Sequence, residues 1–221
     1  MERDTASAPR VRDGVRAALP LVPGPLLFGL TFGVLAETAG MGAVAAVVMS
    51  ATTFAGSAQF AAASVLEDGG TVVAAIVSAV LLNARYAGMS IAVASIFPGG
   101  RARRFVESQL IVDESWALSG RSGRFEWPIL VGAGLLLYVL WVSSTAVGAL
   151  AGDLLGDPND LGLDAAFAAL FLALARPYLR GKRALEAATL AAVITLVFIP
   201  IAPAGVPLVI AALACLLGLR R

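Results

Sequence analysis

The chain contains no histidine. That removes the commonest general base and the commonest neutral metal ligand together. It excludes serine–histidine intramembrane proteases and membrane metalloenzymes with histidine ligands. A single cysteine, Cys215, allows no intrachain disulfide and no cysteine–histidine metal cluster. No G-x-x-x-x-G-K-[ST] loop occurs, so the chain is not expected to hydrolyse ATP itself. Two acids inside spans, as a membrane aspartyl protease needs, are available only around Asp113, so no enzymatic activity, no metal and no other cofactor is expected. Charge is scarce too: 14% of 221 residues, against about 25% in soluble domains. The net charge of +1, with no basic low-complexity arm, offers nucleic acid no footprint.

What fills the chain instead is apolar: 59% of residues are hydrophobic and the mean hydropathy is +0.87. A single soluble domain leaves too much surface exposed to hide that much. The composition therefore defines an all-α polytopic protein of the membrane. A crossing needs about 20 apolar residues, and candidates are 18–36, 40–66, 72–97, 127–150, 161–179, 185–200 and 206–219, giving about 6–7 transmembrane helices. Residues 1–17 read as a retained cytoplasmic tail, because their basic start runs into the apolar stretch without a small-residue cleavage site. Residues 18–219 form one transmembrane domain. A weak echo between 18–97 and 127–219 is compatible with two repeated halves.

Basic clusters lie in the tail, in "RARR" (101–104), at Arg121 and Arg124, in "RGKR" (180–183) and at Arg220–Arg221. With all of them on the cytoplasmic side, the second half threads cleanly. The first half does so only if 40–66 is interrupted or re-entrant. Residues 105–118, "FVESQLIVDESWAL", then lie along the cytoplasmic surface; the alternative is that they cross as a short polar span, at the cost of one misplaced basic cluster.

Three polar groups sit where apolar residues are expected. "FAGSAQF" (54–60) sets Gly56, Ser57 and Gln59 in the middle of the uncharged run 40–66. Glycine weakens a helix interior, and broken membrane helices build substrate and ion sites. Gly56–Ser57 is the expected break and Gln59 the expected ligand contact, although small residues here would equally serve close helix packing. "NARY" (83–86) puts Arg85 deep within 72–97, too far from either end to reach water easily. An ionisable group there marks function by default, and a guanidinium fork suits a carboxylate; a structural ion pair is the alternative. "DES" (113–115) offers Asp113 and Glu114 as its partners and, without histidine, as carriers of a coupling proton; a solvated amphipathic helix is the alternative. "GLTFG" (29–33) and "GALAG" (148–152) match the close-packing Gly-x-x-x-Gly pattern. Pro20, Pro23 and Pro25 are expected to kink or delay the first span.

"PGPLLFGLTFGVLAETAGMG", then "FAGSAQF", "LLNARYAGMS" and "VDESWAL", in this order and spacing, resemble the AzlC-type branched-chain amino acid permease family. "LGLDAAFAALFLALARPYL" is similar to the family's second half. The resemblance implies a secondary transporter of the bacterial inner membrane that exports leucine, isoleucine and valine, and for some members methionine. It also implies a small hydrophobic AzlD-type membrane subunit as partner; membrane lipid is a further expected contact, and an oligomer stays open. It marks Phe54, Ala55, Gly56, Gln59, Phe60, Asn83, Arg85, Tyr86, Asp113 and Glu114 as signature positions; Ser57 lies among them. Family members vary between an aromatic residue and histidine after the arginine, and here Tyr86 follows. On this reading the substrate carboxylate meets Arg85 or the amides at the Gly56 break. Its ammonium meets Asp113 or Glu114, Gln59 and Asn83 add neutral hydrogen bonds, and the aliphatic side chain rests on Phe54 and Phe60. A passive channel and a non-transporting scaffold stay open as alternatives.

Overall fold

The computed structural model of the protein describes residues 8–67, 69–121, 123–155, 172, 175, 176, 179–202, 210, 211, 213 and 214. Among them run α1 (Val11–Ala18), α2 (Pro23–Thr38), α3 (Ala43–Thr53), α4 (Gly56–Glu67), α5 (Val72–Asn83), α6 (Arg85–Val93), α7 (Arg101–Ser108), α8 (Asp113–Ser119), α9 (Trp127–Leu155) and α10 (Lys182–Phe198). The only ladder among the described residues pairs β1 (Gly120–Arg121) antiparallel with β2 (Arg124–Phe125). The chain is an all-α membrane protein with an interrupted segment between residues 40 and 66.

The proline cluster acts where it stands. Pro20 lies in a short 3₁₀ turn, Leu19–Leu21, and Pro23 opens α2 at a position that needs no N–H partner. The helices on either side, Val11–Leu21 and Pro23–Thr38, meet at 67°. Residues 11–17 of the expected tail are thus folded. Gly14 of α1 packs so closely on α9 that a Cβ there would lie 2.9 Å from the Cα of Ile129. At its other end α2 stops in a Schellman turn: Met41 N–H bonds to Ala36 C=O and Gly40 N–H to Glu37 C=O, each at 2.9 Å. Gly40 takes the left-handed conformation that this turn requires (φ 74°).

Helices α2 and α9 form the core, with α1, α3 and α8 laid against α9. Three glycines bring the two backbones together. A Cβ on Gly29 would strike Ser144, one on Gly33 the Thr145 carbonyl, and one on Gly148 the Leu30 carbonyl. Gly29, Gly33 and Gly148 of the two Gly-x-x-x-Gly patterns therefore do what small-residue spacing does in membranes, letting helices approach at backbone distance. Around them Phe28, Phe32, Phe54, Leu137 and Trp141 fill the core.

Val72–Ile96 and Trp127–Ala151 are each long and apolar enough to cross a membrane, and Val11–Leu21 with Pro23–Thr38 makes a third crossing if the bent pair is one span. Val72, Val73, Ile76, Val77, Val80 and Ile91 are exposed on the first of these, an outer surface suited to hydrocarbon rather than water. Most residues of the expected crossings at 161–179 and 206–219, and Cys215, lie outside the described residues. Residues 105–118 do not form one helix: α7 ends at Ser108 and α8 begins at Asp113. At 1.5 Å per residue, neither spans about 30 Å of hydrocarbon. Helix α7 is tied to the start of α9, where Glu107 accepts from Trp127 Nε1 at 2.8 Å and from Arg103 Nε at 2.7 Å, and the Arg103 guanidinium lies 5.2 Å from the Trp127 ring centre. Helices α1 and α7, both carrying basic residues, are thus set against the same end of α9.

Candidate functional site

The interruption falls at Phe54–Ala55, just ahead of the glycine at which it was expected. Phe54 takes the left-handed conformation at φ 39°, ψ 54°, among the described residues the only non-glycine with positive φ. In an unbroken helix Ala55 N–H would bond to Ala51 C=O. Here the two groups part. Ala55 N–H donates to Gln59 Oε1 at 3.2 Å, and Ala51 C=O accepts from the Tyr138 hydroxyl at 2.9 Å. Gly56 is the first residue of α4 and needs no special φ. Its missing side chain makes room for Trp141, whose ring carbon Cη2 would lie 2.8 Å from a Cβ.

Gln59, expected to face a ligand, is instead fully buried in a chain of hydrogen bonds. Its Oε1 also accepts from Trp141 Nε1 at 3.0 Å, and its Nε2 donates to Ser50 Oγ at 2.7 Å, which donates to Thr145 Oγ1 at 2.9 Å. The physical reason is the break itself: a buried backbone N–H needs an acceptor, and a glutamine one turn on supplies it. Gln59→Leu removes the acceptor for both Ala55 N–H and Trp141 N–H. At about 1–3 kcal/mol for each buried group left unsatisfied, thermal unfolding in detergent should show one of the larger losses of any single substitution. A melting temperature within a degree of wild type would contradict this role.

Helix α4 then presents Ser57 to Arg85. Helices α5 and α6 join at Ala84 through tighter, 3₁₀-type bonds (Ala84 N–H to Leu81 C=O at 3.2 Å, Ala87 N–H to Ala84 C=O at 3.1 Å), and Arg85 opens α6. Its Nη2 donates to Asp113 Oδ2 at 2.8 Å and to Ser57 Oγ at 2.9 Å. Tyr86 flanks the pair: its hydroxyl is 3.3 Å from Asp113 Oδ2, and its ring centre lies 5.0 Å from the guanidinium. Asp113 is held at the start of α8 by Ser115, whose hydroxyl accepts from Val112 N–H at 3.0 Å and donates to Leu110 C=O at 2.6 Å.

These groups line one pocket that is partly open to its surroundings. Ser57, Arg85, Tyr86, Asp113 and Glu114 make its polar side; Pro25, Phe28, Phe54, Val112, Leu137 and Trp141 make its apolar side. Gly56 and Ser57 bring the opening turn of α4, whose N–H groups have no intrahelical partner and carry the positive end of the helix dipole. Seven expected residues therefore meet at one place: Phe54, Gly56, Ser57, Arg85, Tyr86, Asp113 and Glu114. Three do not line it. Gln59 is engaged as described. Phe60 packs edge-on against Phe32, ring centres 5.9 Å apart. Asn83 ends α5, its buried side-chain oxygen without a hydrogen-bond partner among the described residues. Sequence reasoning missed Phe28, Leu137 and Trp141 as lining; Trp141 alone carried a signal, since it sits too deep in its run for an interfacial anchor.

The fold and this site define the class: a helical membrane protein with a broken helix and a half-buried ion pair around a pocket. The AzlC protein family matches residues 20–155, and the chain belongs to that family. An uncharacterized membrane protein of Archaeoglobus fulgidus is 34% identical over 92% of this chain and 91% of its own. One from Helicobacter pylori strain 26695 is 26% identical over 64% of each chain. The "Branched-chain amino acid transport protein AzlC" of Bacillus subtilis is 27% identical over 70% of this chain and 62% of its own. No solved structure matches. Family and relative support a role in transport, and the family is one of transport proteins rather than enzymes.

Proposed function

We propose that the protein exports branched-chain amino acids, leucine, isoleucine and valine with methionine as a further substrate, across the bacterial inner membrane. The observation that carries this reading is the Arg85–Asp113 pair, 2.8 Å apart inside a pocket with one apolar wall. A zwitterionic amino acid substitutes for that pair charge by charge. Its carboxylate takes the Arg85 guanidinium, Ser57 and the α4 N-terminus; its ammonium takes Asp113 with Glu114 beside it. The aliphatic side chain then rests against Phe28, Phe54, Leu137 and Trp141, where burying each CH₂ is worth about 0.8 kcal/mol. A free pocket keeps its charges paired, so neither is left bare at the high cost of an isolated buried ion. Proton binding at Asp113, once Arg85 has turned to the substrate, or at Glu114 beside it, couples the cycle to the proton gradient. The N-terminus lies in the cytoplasm, a reading supported by the setting of α1 and α7, both carrying basic residues, against one end of α9. The exposed face of Val72–Ile96 suits a small hydrophobic partner subunit of the AzlD type, as it suits lipid.

The test is efflux from cells that lack their own exporters and are fed leucine-containing dipeptides, with this chain expressed alone or with its partner. Release that collapses with an uncoupler is expected, and release indifferent to the uncoupler would leave a passive channel. Ser57→Ala removes one hydrogen bond to Arg85 but no charge. It should raise the half-saturating intracellular leucine concentration roughly tenfold, from about 1.5 kcal/mol, and leave maximal efflux nearly unchanged.

A further inference from the structure

The apolar side of the pocket is built to a fixed dimension. Trp141 and Gly56 both line it, and the indole Cη2 lies only 2.8 Å from where a Cβ of residue 56 would be. The ring cannot drift. Its Nε1 is bonded to Gln59 Oε1 at 3.0 Å, and Gln59 is itself fixed by Ala55 N–H on one side and by Ser50 and Thr145 on the other. Trp141 is only 6% exposed, on the long helix that also carries the core glycine Gly148. A wall positioned this way has no freedom to retreat before a longer side chain.

We propose that Trp141 is the specificity-determining residue of the pocket, setting the upper limit on substrate side-chain size, and that Gln59 is its positioning residue. The proposal rests on the transport reading above. It gives Gln59 and Gly56 a common purpose that neither the break nor the ion pair explains. The glutamine that replaces the lost backbone bond also orients the indole, and the glycine lets that indole lie flush with the helix. Rejection of larger side chains is then steric, at the wall, while rejection of non-zwitterions is electrostatic, at Arg85 and Asp113.

The experiment is efflux of valine, leucine, methionine and phenylalanine from the same cells, for wild type and four variants whose membrane amounts are matched. Trp141→Phe shortens the wall and should raise the phenylalanine-to-valine efflux ratio about tenfold or more, the size of discrimination a hydrophobic pocket gives per one or two carbons. Gly56→Ala drives the indole into the pocket and should lower the leucine-to-valine ratio. Trp141→Phe in that same chain should restore it, which a general loss of folding would not allow. Gln59→Met frees the ring and should raise the phenylalanine-to-valine ratio with Trp141 still present. Efflux by wild type with ratios unchanged in Trp141→Phe overturns the wall, and unchanged ratios in Gln59→Met overturn the positioning role. No efflux of any amino acid by wild type overturns the transport reading and the wall with it.

Discussion

Arg85→Met should abolish amino-acid efflux while the protein still accumulates in the membrane. Removing one member of a hydrogen-bonded charge pair costs a bound ligand about 2–5 kcal/mol, which is about thirtyfold to several-thousandfold in affinity. Here the charge removed is the one that Ser57, Tyr86 and Asp113 all address. Asp113 would be left facing an apolar side chain, so the single variant should also lose stability. The double variant Arg85→Met/Asp113→Leu separates the two effects. Replacing a buried pair by apolar residues is often neutral or stabilising, so the double variant should unfold near the wild-type temperature and still export nothing. Recovered efflux in the double variant would mean that the pair is only a structural tie between α6 and α8. Arg85→Lys is a sharper probe of the fork. An ammonium keeps the charge and several donors on one nitrogen but not the planar two-nitrogen fork that holds a carboxylate bidentately, and it should retain only a small part of the activity.

The second large effect is expected at Gly33. A side chain there would run into the backbone of α9, with its Cβ 2.5 Å from the Ala149 nitrogen. Nothing flexible stands in the way to be moved, so Gly33→Leu must part the two central helices. Overpacking costs typically about 1–3 kcal/mol, and this substitution should exceed the top of that range, read as a fall in the unfolding temperature in detergent and as loss of folded protein. Gly88 is the control. It lies within α6 with nothing inside 4 Å of where a Cβ would stand, so Gly88→Ala should gain about 0.5–1 kcal/mol through helix propensity alone. If both glycines tolerate substitution equally, close approach of α2 and α9 is not what holds the core.

Composition made the membrane class and the helical fold legible, and the displaced polar groups made most of the site legible. Arg85 stood out because a charge is costly at that depth, and the structure supplies Asp113 and Ser57 as its partners. The interruption in 40–66 was visible from loop charges, but its position was not. Glycine marks where a helix is weak, whereas the chain turns at Phe54, because Tyr138 and Gln59 are placed to satisfy the two backbone groups it releases. Gln59 misled for a related reason. A buried amide facing a ligand and one facing a broken backbone look the same in sequence, and only the contact with Trp141, 82 positions away, decides between them. Half of the apolar wall was hidden: Phe54 was expected there and Trp141 carried a signal, but Phe28 and Leu137 are indistinguishable from lipid-facing residues until α2 and α9 are brought together.

The manner in which the α3–α4 interruption is satisfied bears on how the protein is made. Ala51 C=O and Ala55 N–H are each other's natural partners in a continuous helix, and apart they are satisfied by the Tyr138 hydroxyl and by Gln59 Oε1. Tyr138 and Trp141 leave the ribosome after residues 43–67 have already been delivered to the membrane. Until they arrive, the released carbonyl has no acceptable partner in hydrocarbon other than the N–H it later abandons. The segment is therefore expected to enter the bilayer as one uninterrupted helix and to open only when the ninth helix docks. The pocket would then be a late product of biosynthesis, absent from any nascent chain that stops short of residue 138.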